Sequence, residues 1–459
     1  MAKKIRPWIL LAALAAFFLG MFAAFGPGVY NDSDQYLKMH IHREPLYPLF
    51  LLILRTLFGE AYLTALGIIQ NLFAAISIWM LAEYMTKKFH LYLWEEGVII
   101  LLQLLPHLVT KYVSSLHLFM TNSIMSEAIC LPLFTLFLLE CFRILSEDGK
   151  KGPVWRALLY ALLLSLTRTQ MMLAILMWAV ILSVKAIVGK KKWWLKLLII
   201  AGITVLTISG RMLIVKSYNY VFNGHFINNT YGTVNTLTNI LYASNREDGV
   251  NIKDEEARDF FYKMYDITEE REANYKYAGD SWNDKVEHIE EWHDTIKYEM
   301  IEDVFYQTYD KSVTSDYITQ NLMADEVAGK IIAGILPECF GRWFLNYLLI
   351  AGYGLIRSIA VVHPIINWIV VCFYLSIVAL AIWVLRQGYL KNKEINGAFW
   401  LAGIALLAVF ANVFAVSITI MTLARYMIYG FALFYIAYFL LIIEAFRLGG
   451  RRKLWKIPI

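Results

Sequence analysis

The stretch NDSDQYLKMHIHREPLYPLF, residues 31–50, places Asp32, Asp34, His40, His42 and Arg43 within a dozen positions. A carboxylate can take the proton of an attacking hydroxyl, and a guanidinium fork suits phosphate oxygens at any physiological pH. Carboxylates and imidazoles together could hold a hard divalent cation such as Mg or Mn, although His-x-His also arises by chance. One aspartate has a simpler use. If a surface helix begins over Tyr36–His40, Asp32 lies at its N-terminal side, where backbone N–H groups favour an ionised carboxylate. That use does not extend to Asp34. Further along, Lys111, Glu127, Arg168 and Arg425 sit at or near the edges of apolar runs. Such charges can merely anchor a span by reaching for lipid headgroups, a reading that competes most directly at Lys111 and Arg425. Arg168 lies between two closely spaced apolar runs with no acidic residue within seven positions, which favours a functional task.

Membrane-spanning helices must position these groups. Of 459 residues, 59% are hydrophobic and 17% charged, with a mean hydropathy of +0.53, whereas soluble chains run at roughly 45–50% apolar. The expected fold is all-α: a polytopic membrane protein with about ten transmembrane helices, each long enough for a bilayer core of about 30 Å, plus an outer, mostly helical domain. Spans are expected near 9–25, 62–83, 93–110, 126–145, 154–166, 171–188, 193–215, 364–386, 398–418 and 423–446. The net charge of +5 is dispersed in short basic tracts and gives no reason to expect nucleic acid. Four cysteines without paired spacing suggest neither disulfides nor a metal cluster.

Lys87/Lys88, Lys150/Lys151, Lys190–Lys192 and Lys391/Lys393 fall on alternate sides of these spans, together with the basic N-terminus and the tail Arg451, Arg452 and Lys453. The positive-inside rule makes that side cytoplasmic. The opening stretch, the loop around 111–126, the Arg168 turn, the long segment after Lys216 and Arg425 then face outward, as suits a multi-pass protein of a bacterial plasma membrane. Three regions follow: 1–215, with about seven spans and a first outer loop at 26–61; 216–363, extracytoplasmic and helical, with interfacial helices; and 364–459, with about three spans and the basic tail. The acidic middle region carries helical patterns over Asp254–Tyr265 and Ser281–Tyr309. In the first, Ala257, Phe260, Phe261 and Met264 share one face, and the second opens with Ser281 and Asp284 in a capping-box spacing. Residues 331–359, with Pro337, Gly341 and Gly352, read as interfacial or re-entrant rather than spanning.

An N-terminal span, then Asp-x-x-x-Tyr (Asp32, Tyr36), a short amphipathic stretch and Arg-x-Pro-Leu-Tyr-Pro (Arg43, Pro45, Leu46, Tyr47, Pro48) resembles the first outer loop of the GT-C superfamily. These are multispanning glycosyltransferases that use polyprenyl-phosphate sugars, among them protein O-mannosyltransferases and the aminoarabinose transferases of lipid A. MSEAI (Glu127), LTRTQ (Arg168) and ARYMIYGFALFY (Arg425) are further points of similarity. Where the mannosyltransferases have His-Pro-Pro-Leu, this chain has Arg-Glu-Pro-Leu, so the resemblance is to the superfamily and not to that member. It implies inverting transfer of a sugar from a polyprenyl-phosphate donor held in membrane lipid to a cell-envelope glycan, lipid or protein acceptor.

The chemistry needs a base for the acceptor proton and cations for the departing phosphate. Asp32 is the candidate base. Arg168 and Arg425, with Arg43 third and Lys111 weaker, are candidates for the phosphate; Asp34 and Glu127 could orient the acceptor or hold a cation, and the resemblance implies that Tyr36 belongs to the substrate site. Asp-Ser-Asp also fits the Asp-x-Asp pattern by which soluble glycosyltransferases hold a metal and a nucleotide sugar, but nucleotide sugars are cytoplasmic and this loop is expected outside. The alternatives are a polymerase or ligase of polyprenyl-linked glycans, and a lipid-sugar flippase or transporter, whose usual internal repeats are not evident here. A non-enzymatic scaffold would give Asp32 and Asp34 no task.

Overall fold

The computed structural model describes residues 2–114 and 117–450; the basic tail at Arg451–Lys453 lies outside them. Among the described residues the chain is helical with no strand, apart from one isolated bridge between Gly28 and Ser123. Nine helical stretches among them are long and apolar enough to cross a membrane. The protein is thus an all-α, multi-pass membrane protein. The chain divides into two compact units. Unit 1 comprises the described parts of 1–226, 358–412 and 427–459, and unit 2 comprises 227–357 with 413–426.

The first nine helices belong to unit 1: α1 (Ala2–Phe25), α2 (Ser33–Leu37), α3 (Leu46–Phe58), α4 (Tyr62–Phe89), α5 (Leu93–Tyr112), α6 (Glu127–Ser146), α7 (Gly152–Ser165), α8 (Leu173–Val188) and α9 (Trp193–Asn223). α1 packs on α4, where Gly67 admits the Phe22 ring, and α6 is held between α4, α7 and α8. As the sequence predicts, α1 stops at Gly26, whose φ of 65° suits glycine and whose N–H caps the carbonyl of Phe22 at 2.8 Å.

Two expectations change. Residues 46–58, assigned to a loop, form α3, and a single 3-10 turn joins it to α4 in a 44-residue apolar stretch. Tyr47, Leu51 and Leu54 are buried at helical spacing, and Pro48 falls in the first turn, where a proline is tolerated. The span expected before Arg168 is α7, with 14 residues, about 21 Å at 1.5 Å per residue and short of a bilayer core.

Unit 2 contains α10 (Gly232–Tyr242), α11 (Glu255–Glu270), α12 (Trp282–Thr295), α13 (Asp303–Ser312) and α14 (Tyr317–Arg357). The predicted capping box forms at Ser281 and Asp284, and α11 has a cap of its own, Asp254 accepting from the Ala257 N–H at 3.0 Å. The second predicted helix is interrupted by a π-helical turn over Ile296–Glu302 before α13. Residues 331–357, in the stretch read as interfacial or re-entrant, lie in the continuous 41-residue α14, which passes through Pro337. Its buried Ile331, Ile335 and Cys339 recur every four residues and join a core with Val234, Leu237, Phe260, Phe261 and Met264, so packing outweighs the single lost backbone bond. Returning to unit 1, α15 (Pro364–Asn392) leads to α16 (Gly397–Ser417), whose last turns enter unit 2. There follow the short α17 (Ala424–Met427) across the unit boundary and α18 (Phe431–Leu448) in unit 1.

Candidate functional site

The segment between α5 and α6 fixes the opening loop. Gly28 donates to Asn122 O at 2.9 Å and accepts from the Ile124 N–H at 2.8 Å. A Cβ at Gly28 would lie 3.3 Å from the Leu118 side chain and 3.5 Å from Ser123 Cα, so the two backbones run close together here. Ser33 Oγ donates to Ile124 O at 2.9 Å. From beneath, fully buried Gln70 and Asn71 of α4 hold the same segment. Gln70 donates to Thr121 O at 3.0 Å while accepting from Tyr47 OH at 2.9 Å, and Asn71 donates to Asn122 Oδ1 at 2.9 Å. Such a network orders the backbone because each buried polar atom left alone costs about 1–3 kcal/mol.

On that base a chain of polar contacts runs from Asp32 to Arg168. Asp32 is the residue before α2, but its side chain makes no capping bond. Its carboxylate pairs instead with Arg43 at 2.9 Å, each side chain about one-fifth exposed (22% and 21%). Arg43 also donates from Nε to Gln35 Oε1 at 2.9 Å, and its guanidinium lies 4.9 Å from the centre of the Tyr36 ring. The buried Tyr36 hydroxyl meets Ser126 Oγ at 2.9 Å, and Ser126 donates to Glu127 Oε2 at 3.2 Å. A serine has one proton to give, so Tyr36 is the donor to Ser126. Glu127, buried at the first turn of α6, forms an ion pair with Arg168, whose guanidinium also donates to Ser126 Oγ at 3.4 Å. Burial raises the Tyr36 phenol above its ordinary range and Glu127 adds to this, while Arg43 and Arg168 oppose it.

A second buried pair adjoins this chain. Glu44 accepts from Thr169 Oγ1 at 2.7 Å and forms an ion pair with Arg211 of α9; both side chains are nearly inaccessible. Neither residue was singled out from the sequence. Arg211 carries a readable signal, since a lone arginine inside an apolar helix needs a partner, but nothing in the sequence identifies that partner as Glu44.

The remaining candidates are placed elsewhere. Asp34 is exposed and pairs with Lys38 at 2.6 Å, four residues on. Lys111 donates to His117 O at 3.1 Å and covers the Phe25 ring at 4.1 Å, tying the loop to the end of α1. The rings of His40 and His42 lie 4.8 Å apart, and burial followed by Arg43 lowers the His40 pKa. No group of three His, Cys, Asp or Glu side chains among the described residues is arranged to hold a metal ion, so the cation considered for Asp34, Glu127 and the histidines does not fit this donor set. Arg425 belongs to unit 2, where it donates to Tyr426 OH at 2.6 Å. There the Asp294 carboxyl is held below its ordinary range first by the hydrogen bond from His293 and more weakly by Arg425.

Asp32 is thus linked through Arg43 and the Tyr36 ring to the Tyr36–Ser126 hydroxyl pair, which Arg168 meets from the other end, at the ends of apolar helices. An accessible base beside fixed cations suits transfer between a phosphate leaving group and an alcohol. No protein-family model, curated protein or solved structure matches this chain.

Proposed function

We propose that the protein is an inverting glycosyltransferase that moves a sugar from a polyprenyl-phosphate donor to an extracytoplasmic cell-envelope acceptor. The observation that carries this reading is the continuous contact path Asp32–Arg43–Tyr36–Ser126–Arg168 beside buried Glu127. It supplies a partly accessible carboxylate and two guanidinium groups within one polar cluster, at the ends of helices that can hold a prenyl chain in lipid.

In the proposed step the acceptor oxygen attacks the anomeric carbon from the face opposite the phosphate. The carbon–oxygen bond to phosphate breaks and its electron pair leaves on the phosphate, while the acceptor proton passes to Asp32. Arg168 and Arg43 receive the charge gathering on the leaving phosphate, a role for which guanidinium geometry is suited. Glu127 and Ser126 orient Arg168, and Glu44 with Arg211 fixes the backbone next to both Arg43 and Thr169. Arg425 remains a phosphate candidate from its sequence setting alone. The resemblance to GT-C enzymes in Asp32, Tyr36 and the Arg-x-Pro-Leu-Tyr-Pro element supports the same chemistry.

The test uses the full-length protein in vesicles containing radiolabelled polyprenyl-phosphate hexose and an extract of envelope acceptors. Label leaving the prenol for an acceptor, with inverted anomeric configuration, is the expected result. Movement of intact lipid-linked sugar between leaflets without breakage of the glycosidic bond would replace the proposal with a flippase.

A further inference from the structure

α6 begins at Glu127, in the carboxylate–arginine cluster, and ends at Ser146. Its 20 residues make it about 30 Å long, the thickness of a bilayer core. At this far end, within unit 1, lies a cleft of ≈ 730 Å3 among the ends of α4, α6, α8, α15 and α16. Its walls carry Lys88, Lys185 and Lys196, with Asp148 and Glu394, and Leu145, Val188, Ile395 and Trp400 add apolar surface.

The lysines are not equivalent. Lys185 caps α6, donating to the carbonyls of Ile144 and Glu147, and pairs with Asp148 at 3.5 Å. It is consumed by the fold. Lys88 donates to the Ser146 carbonyl at 3.0 Å, a contact that leaves its charge uncompensated, and exposed Lys196 stands at the start of α9. After the Lys185–Asp148 pair cancels, the cleft offers two ammonium groups and one carboxylate, Glu394. Such a set fits a phosphate that has a hydrogen-bond donor beside it, and the apolar walls at a helix-end boundary fit the glycerol backbone of a lipid.

We infer that this cleft binds the phosphodiester headgroup of a membrane glycerophospholipid, one whose headgroup also carries a donor for Glu394. Lys88 and Lys196 hold the phosphate. The inference does not rest on the transferase reading, and it places a lipid site one helix length from the Asp32 cluster, in the opposite leaflet.

Full-length protein is purified and its retained lipid measured by native mass spectrometry after incubation with nanodiscs of phosphatidylglycerol, phosphatidylethanolamine or phosphatidylcholine. The first two are expected to be retained over phosphatidylcholine, whose headgroup has no donor. Lys88→Gln and Lys196→Gln should each weaken retention about fivefold, while Lys190→Gln/Lys191→Gln, just outside the cleft, should leave it unchanged. Melting in phosphatidylcholine nanodiscs identifies any variant that misfolds, and for such a variant Lys→Arg at the same position must restore retention. Equal loss in the control pair would overturn the proposal in favour of diffuse surface attraction. So would equal retention of all three lipids, no loss in either cleft variant, or displacement by millimolar glycerol 1-phosphate, which would mark a site for soluble phosphates.

Discussion

The ion pair between Arg168 and Glu127 serves two purposes that single substitutions confuse. Glu127 is 1% exposed in its side chain and Arg168 15%, so removing the arginine alone strands a buried carboxylate, at a cost of about 3–5 kcal/mol. Arg168→Met should therefore lower stability strongly in mixed-micelle unfolding. Arg168→Met with Glu127→Leu should recover most of it, because neither charge then remains buried. The double variant should still fail to retain polyprenyl-phosphate sugar; if it binds donor normally, Arg168 has only a structural role. Tyr36 is a milder case. Tyr36→Phe removes one hydrogen bond to Ser126, a loss of about 1 kcal/mol. Because its phenol is raised above its ordinary value, Tyr36 keeps its proton through the physiological range. The pH profile of the variant between 6 and 9 should therefore match that of the wild type.

Unit 2 permits tests of single elements. Asp325 of α14 accepts the N–H groups of Thr233 and Val234 at 3.0 and 3.1 Å, and that of Tyr231 as well, at the start of α10. Asp325→Ala should cost about 1–2 kcal/mol, the worth of a helix cap, read as a lower melting temperature. Glu302, in the π-helical turn, is raised to about 7 by burial and then by Asp303. Between its ordinary value of 4.5 and about 7 the folded state holds a proton that the unfolded state has released. Stability contributed at this position therefore falls as pH rises through that window and levels off above it. Glu302→Gln should be more stable relative to wild type at pH 8 than at pH 4.5, and an unchanged difference across that range would refute the assignment. The same elements show what a sequence can convey. The one-sided apolar pattern of Ala257, Phe260, Phe261 and Met264 and the capping box at Ser281 are local, so α11 and α12 are readable. α3 hid beside a proline-rich loop, and α14 passes through Pro337 because its buried face gains more from tertiary packing than the sequence reveals.

At the scale of the whole molecule, composition alone fixes the solvent. Val205 and Leu206 of α9 are 64% and 73% exposed, and Trp368 and Leu375 of α15 are 76% and 67% exposed, a surface made for lipid. Leu206→Arg should raise the cost of inserting α9 by about 3 kcal/mol, measured as the inserted fraction in a translocation assay. Arg211, five positions on, is tolerated because Glu44 meets it. A charge in an apolar run was legible, but its partner lies on a different element far back in the chain. The same holds for the candidate site. Asp32, Arg43, Glu127 and Arg168 could be named from residue types and setting, and Tyr36 from the resemblance of its motif, whereas Gln70, Asn71 and Ser126, which hold them together, are ordinary polar residues whose importance comes only from the fold. The account as a whole turns on Asp32 as a proton acceptor. Its most direct test is transfer from radiolabelled polyprenyl-phosphate hexose by Asp32→Asn beside wild type, with donor retention measured in the same vesicles. Transfer should fall by about 10²–10⁴-fold with donor retention unchanged; turnover at the wild-type rate would contradict the account.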